Sequence, residues 1–284
     1  MWTQCDTIDA FLDARRATLE AEESRYNLAW SAIARGQAAA HQPPREFFSI
    51  FGQGPTASAH AFTEKNRTVL VVSAMSDDAV TALVAFATQQ GLALDIVEGP
   101  AVTAQAFARE WAERNGLGHA LEMRKGLYEL VHVKMPPPDG GQMVAATREH
   151  RQILETFVRG FWADCFPEAR VTDAQIAARV QRFLDDEFAF LWKDREGTLV
   201  SMAAIVRESP NTTSISGVYT PPSQRGRGHA ARIVAALSKA RLDAGKTACN
   251  LHTDLDNETS NGVYLRIGYE MIARAARIRF RPAT

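Results

Sequence analysis

Apolar residues recur at helical spacing early in the chain. Ile8, Phe11, Leu12 and Leu19 mark one face, and Tyr26, Trp30 and Ile33 continue the pattern after polar Glu22–Ser24. The periodicity then changes to short β-branched and aromatic runs, so Phe47–Phe51, Ala57–Phe62 and Thr68–Ser73 read as strands, with turns at Gly52–Pro55 and Glu64–Asn66. Asp77–Gln90 reads as a helix stopped by Gly91, Ala93–Val97 as a strand, Val102–Asn115 as a helix ended by Gly116, and Leu121–Met135 as a long alternating strand.

The run Met135-Pro136-Pro137-Pro138-Asp139-Gly140-Gly141 cannot continue a helix or a central strand, so residues 136–141 read as a linker between domains at 1–135 and 142–284. The second half repeats the element order of the first. Gln142–Ala146 is a strand, Arg148–Asp164 and Asp173–Asp186 are helices, and Phe188–Lys193, Leu199–Arg207 and Thr212–Tyr219 are strands. A helix at Arg227–Ala244, a strand at Ala248–Thr253, a helix at Glu258–Ile267 and a strand from Tyr269 to Phe280 complete it. Repetition of one order over about 140 residues predicts a duplicated α+β domain.

Composition changes this picture in one respect. With 46% hydrophobic and 23% charged residues and a net charge of −1, the chain is an ordinary globular one with no bias toward nucleic acid. The halves differ, however: residues 1–141 hold 12 Lys and Arg against 17 Asp and Glu, a net −5, and residues 142–284 hold 20 against 16, a net +4. That split suits a bound anion in the second half. Three cysteines, Cys5, Cys165 and Cys249, are too few for a disulfide framework and read as reduced thiols. Neither a signal-peptide pattern nor an 18-residue apolar stretch is present, so a cytoplasmic protein with no membrane partner is expected. Seven scattered histidines show no ligand spacing, and no metal is expected.

The anion has an obvious address. The strand ending at Tyr219 runs into Pro221-Pro222, and Arg225-Gly226-Arg227-Gly228-His229-Ala230 then opens a helix. Glycines at a helix N-terminus let the backbone approach a ligand, and the free amides there bind phosphate, with two arginines adding charge. Gly226-Arg-Gly228-His-Ala-Ala231 is not a dinucleotide fingerprint, because Pro-Pro-Ser-Gln-Arg separates it from the strand. Gly245-Lys246-Thr247 is not a P-loop, because Ala240 stands where its first glycine belongs.

Arg225-x-x-Gly228-x-Ala230 after a strand, followed by Asn257, Ser260-Asn261, Tyr264 and Gly268-Tyr269, resembles two motifs of the GNAT N-acetyltransferase superfamily over roughly 142–280. The resemblance implies a fold of two tandem GNAT-like domains, each a mixed, mostly antiparallel twisted sheet flanked by helices. It implies an acyltransferase that moves an acetyl group from acetyl-CoA to a primary amine of a small molecule or peptide. Val218, Tyr219 and Thr220 would pair with the pantetheine arm, and Arg225, Gly226, Arg227, Gly228, His229 and Ala230 would hold the pyrophosphate. Asn257 would contact the arm, Asn261 would share its helical face, and Tyr264 would protonate the departing thiolate. Taken alone, Tyr264 packs a helix onto a sheet and Asn257 caps one, which is the reading of a non-catalytic acyl-CoA-binding protein. Gly217 suits either a bulge or packing. The strand 212–219 holds no carboxylate, so the general base is sought among Glu208, His252, Asp254 and Glu258. In the first half, Ala74-Met75-Ser76-Asp77-Asp78 replaces the glycine loop with acidic residues, so one acetyl-CoA site is expected and the first half serves as a scaffold or a wall of the acceptor pocket.

Overall fold

A computed structural model describes residues 1–38, 47–51, 57–64, 67–167 and 170–283. The first ten elements are β1 (Trp2–Gln4), α1 (Ile8–Ala21), α2 (Asn27–Ala38), β2 (Phe47–Phe51), β3 (Ser58–Glu64), β4 (Arg67–Val72), α3 (Asp77–Gln89), β5 (Ile96–Pro100), α4 (Ala101–Asn115) and β6 (Leu117–Leu130). The next ten repeat the order: β7 (Gln142–Ala145), α5 (Arg151–Cys165), α6 (Asp173–Asp185), β8 (Ala189–Lys193), β9 (Leu199–Glu208), β10 (Thr212–Tyr219), α7 (His229–Asp243), β11 (Ala248–Asp254), α8 (Glu258–Arg266) and β12 (Glu270–Pro282). The duplication expected from the periodicity is therefore present element for element. Strand β1 was not expected; at three residues it is too short to alternate, and its Trp2 is buried with Nε1 donating to the Ala79 carbonyl at 2.9 Å. The turns expected at Gly52–Pro55 and Glu64–Asn66 lie outside the described residues, apart from Glu64 itself, which ends β3.

Compactness divides the chain differently from the contiguous halves 1–135 and 142–284. One unit is Met1–Leu127 with His252–Asn257 and Met271–Thr284; the other is Tyr128–Leu251 with Glu258–Glu270. The cause is the last strand. β12 runs antiparallel to β5, from Ala275 opposite Pro100 to Arg279 opposite Ile96, so the end of the second repeat completes the sheet of the first. The segment 136–141 carries no helix or strand, as expected, and lies within the second unit.

In the first unit, β1 to β4 form an antiparallel succession and β4 runs parallel to β5. One face packs on α3 and α4 through Leu70, Val97, Ile278, Leu83, Phe107 and Trp111. The other face carries Val69, Val71 and Ile96, with Leu28 of α2 against them. Buried Glu98 on β5 receives Lys125 of β6 and, at 2.6 Å, Nη1 of Arg277 on β12. Burial pushes the Glu98 carboxyl up, but the two cations, with His252 adding, outweigh it and hold the pKa well below the usual carboxylate range.

In the second unit, β7 to β10 are antiparallel neighbours and β10 runs parallel to β11. Met202 and Ala204 of β9 face α5 and α6, with Leu154, Phe157, Val180 and Phe183 in the same cluster. Alternate residues Ala203 and Ile205 join the opposite core, with Ile233, Val234 and Leu237 of α7. The three cysteines are free thiols, as expected. No described helix is long and apolar enough to cross a membrane.

Removing a buried carboxylate strands its partners, so Glu98→Gln should lower unfolding free energy at pH 7 by about 3–5 kcal/mol in urea titrations. The folded pKa lies below the unfolded value of about 4.3, so this stabilisation is fully present above that pH and is lost as pH falls toward the folded pKa. The gap between wild type and variant should therefore hold from neutrality to about pH 4.3 and shrink only below it.

Candidate functional site

The site lies where two parallel strands separate. β10 pairs with β11 from Thr212 opposite Ala248 only as far as Ser214 opposite Asn250, yet β10 continues to Tyr219. Its other edge stays paired with β9, through register shifts between Ser214 and Ile215 and between Ser216 and Tyr219. Gly217 sits in the second shift at φ 62°, so the bulge alternative expected for this glycine is the one adopted. Beyond Ser214, the β11-facing edge of β10 presents backbone groups to which an extended ligand can add as a strand.

The end of that strand is braced by side chains. Ser201 Oγ donates to the Tyr219 carbonyl at 2.9 Å and lies 2.9 Å from Thr220 Oγ1. The Tyr219 ring packs against Phe157 of α5 with centroids 5.8 Å apart, and its hydroxyl fills the place a side chain on Gly160 would need. Burial raises the Tyr219 pKa, with Asp164 adding to it and Arg225 opposing.

The connection to α7 is built for close approach. A short 3-10 turn at Pro222–Gln224 is followed by Gly226 at φ 77° and Gly228 at φ 82°, and α7 begins at His229. A Cβ on Gly228 would lie 2.8 Å from Arg232 Nη1. By helix geometry the amides of His229, Ala230 and Ala231 have no intrahelical acceptor, and the helix dipole adds positive potential there. A helix start of this kind can receive a phosphate-bearing anion.

The two arginines of the loop are placed differently. Arg227 is exposed. Arg225 donates from Nε to the Thr220 carbonyl at 3.0 Å, pairs with Asp164 of α5, and lies 5.8 Å from the Tyr219 ring centroid. Its guanidinium ties the loop to α5. Its backbone amide donates to the Pro222 carbonyl at 3.3 Å.

The proline-rich segment is fastened to the same loop. Arg232 donates from Nε to the Pro137 carbonyl at 3.0 Å and from Nη1 to the Arg227 carbonyl at 2.7 Å, and Nη1 lies 3.2 Å from Asp139 Oδ2. The buried His229 ring sits 3.5 Å from the same carboxylate oxygen through Nδ1. Burial lowers the His229 pKa and Asp139 opposes the shift, so the ring is a neutral part of this clamp at pH 7 while its amide stays in the first helical turn.

Helix α8 carries Asn261 and Tyr264, both half-buried. Asn257 was expected on the same face but precedes the helix; it is exposed, its amide donates to the Asp254 carbonyl at 3.1 Å, and it belongs to the first compact unit. The Tyr264 ring meets Tyr269 edge to face at 6.0 Å. Burial, with the Cys165 thiol nearby, pushes the Tyr264 phenol well above its ordinary pKa, so it stays protonated across the physiological range.

The base candidates separate clearly. Glu208 pairs with Arg241 and accepts from Thr213 Oγ1 at 3.1 Å. It stands opposite Thr213 at the start of β10, roughly 17 Å along the strand from Val218, too far to take a proton there. Asp254 accepts the Asp256 amide at 3.0 Å, Glu258 is exposed in the first turn of α8, and His252 lines a cavity of the first unit. Sequence reasoning missed Ser201, Asp164, Asp139 and Arg232. Asp139 was visible only as part of the 136–141 linker, and the other three fall in ordinary strand or helix patterns.

Residues 195–278, which include the glycine loop and α8, match the family model of FR47-like protein. No curated protein sequence matches the chain. Among solved structures, a Drosophila protein is similar at 15% identity and TM-score 0.68, covering 100% of this chain and 99% of that one. A GCN5-related N-acetyltransferase from Sphaerobacter thermophilus shows 15% identity and TM-score 0.61 over 98% of this chain and 95% of that one. A tandem GNAT protein from the clavulanic acid biosynthesis pathway shows 11% identity and TM-score 0.56 over 100% and 98%. The chain thus has the α+β fold of the GCN5-related N-acetyltransferases in a tandem arrangement, with its FR47-like match on the segment that builds the cradle.

Proposed function

We propose that the protein is an acetyl-CoA-dependent N-acetyltransferase acting directly on a primary amine of a small molecule or peptide, with one donor site, in the second unit. The early end of β10–β11 pairing, set beside a glycine-cradled helix N-terminus, carries this reading. Acetyl-CoA supplies the activated acetyl group.

The donor set fits it. The amides of Gly226 to Ala230 receive the pyrophosphate, with Arg227 as the exposed charge, while Arg225 acts through the loop rather than on the ligand. The edge at Val218–Thr220 orients the pantetheine arm, and Ser201 holds that edge in shape. Asn261 and Tyr264 present polar groups from α8, and the Tyr264 phenol carries the proton that the leaving thiolate needs. The incoming amine must lose a proton first. Its ion pair and position argue against Glu208 as the acceptor of that proton, which leaves His252 and Asp254 of β11 and Glu258 of α8 as candidates.

Steady-state kinetics with a panel of amines test the acid role. Tyr264→Phe should lower kcat roughly 100-fold with little change in the dissociation constant for CoA, and unchanged turnover would remove the assignment. Because the phenol pKa is raised, wild-type kcat should show no downturn from this group up to about pH 10.

Gly228→Val forces a branched side chain into a left-handed conformation against Arg232, and CoA affinity by calorimetry should fall at least about tenfold, which is 1.4 kcal/mol or more. Arg232→Met releases both carbonyls that the guanidinium holds. The KM for acetyl-CoA should rise about tenfold, the KM for acetyl-pantetheine, which lacks the pyrophosphate, should not change, and Arg232→Lys should not rescue a fork-shaped contact.

A further inference from the structure

The segment that joins the two repeats brings a carboxylate to the donor loop, where charge alone would not put one. Asp139 Oδ2 lies 3.2 Å from Arg232 Nη1 and 3.5 Å from Nδ1 of His229, the first residue of α7. In the acetyl-CoA reading, on which this inference rests, the amides at this helix start receive a pyrophosphate. A negative charge beside them opposes the ligand's own charge. Asp139 is therefore placed for another task.

The loop has little else to hold its shape. Gly226 and Gly228 stand at φ 77° and 82°, and glycine loses more backbone freedom on ordering than any other residue. A Cβ on Gly226 would meet nothing within 4 Å, so packing does not fix that part of the loop. Carbonyls are held instead, that of Thr220 by Arg225 Nε at 3.0 Å and that of Arg227 by Arg232 Nη1 at 2.7 Å. The second of these contacts needs support. The Arg232 side chain is 17% exposed, and a guanidinium so far out of water stays there when a carboxylate faces it. Asp139, itself 22% exposed, supplies that carboxylate.

Asp139 is in turn anchored. Its Oδ1 accepts the Gly141 amide at 2.9 Å across a turn in which Gly140 stands at φ 80°. A Cβ on Gly141 would lie 2.6 Å from Trp192 Nε1 and 2.7 Å from the Lys193 carbonyl, so this backbone lies tight against the end of β8. The next residue, Gln142, pairs with Lys193. One carboxylate oxygen thus closes the turn that leads into β7, and the other faces the guanidinium. The Pro137 carbonyl accepts from Arg232 Nε at 3.0 Å and completes the clamp.

We propose that Asp139 is a positioning residue for the donor: it turns the Arg232 fork onto the Arg227 carbonyl and so sets the loop that receives the pyrophosphate. It acts through Arg232 and not on the ligand. The segment 136–141 is then a working part of the donor site as well as a connection between repeats.

Calorimetry with CoA on the full-length protein tests this without an acceptor amine. Asp139→Asn keeps an oxygen for the Gly141 amide and removes the charge that faces Arg232. CoA should bind about tenfold more weakly, whereas mere removal of a negative charge near a phosphate site would tighten it. Pantetheine, which lacks the pyrophosphate and is titrated in competition with CoA, should change by less than about twofold. In an Arg232→Met background the same substitution should alter CoA binding by less than about twofold, because the group it acts through is gone. Should Asp139→Asn fail to fold, as read from urea unfolding, Asp139→Ser retains a turn acceptor and carries the same expectations. Unchanged or tighter CoA binding by the variant, an equal loss for pantetheine, or an undiminished effect without Arg232 would overturn the proposal and leave the donor reading standing. A wild type that binds no CoA would overturn both.

Discussion

The parting of β10 from β11 after Ser214 and Asn250 is the constraint from which the second unit's chemistry follows. A parallel pair normally satisfies its facing edges along their length, and an unsatisfied backbone edge is costly unless water or a ligand takes it up. Here β10 runs on for five residues, held on one side by β9 and Ser201 and bent at the left-handed Gly217. The strand ends at a helix whose own first-turn amides are also unsatisfied. Two sets of orphan donors and acceptors therefore converge. One is linear and suits an amide-bearing arm; the other is concave and suits phosphate.

The first unit shows what happens when the same elements close instead. β4 and β5 remain paired to Val71 opposite Glu98, one residue before β4 ends. Gly99 then lies so near the Val72 carbonyl that any side chain there would overlap it. The connection to α3 is capped by serine, and two aspartates occupy the first turn of that helix.

Local pattern made most of the elements legible, because helix and strand periodicity are properties of neighbouring residues. The glycines at 217, 226 and 228 were legible for the same reason, since each supplies a positive φ. Contacts between distant segments were not. Arg225 reads as a phosphate ligand in its motif, but Asp164, 61 positions away, takes its guanidinium. Pro136–Gly141 reads as a loose connector, yet Arg232, 95 positions from Pro137, draws it onto the loop. Asn257 shares a helical spacing with Asn261 and Tyr264, but the helix begins one residue too late to include it. Alternating Ala276, Ile278 and Phe280 announce a strand and say nothing about which repeat that strand will join.

That last strand has a consequence for how the chain comes to be folded. Arg277 and Glu98 meet across 179 positions, and β12 is made after every other element of the second repeat. The first unit, although its residues are made first, must wait with the flank of β5 uncovered until the second repeat has been completed. Loop closure over such a distance is slow, and an exposed strand edge in the interval is a site for mispairing. The order of synthesis is therefore not the order of completion, and a ribosome pausing before residue 270 would hold an unfinished sheet rather than a finished domain.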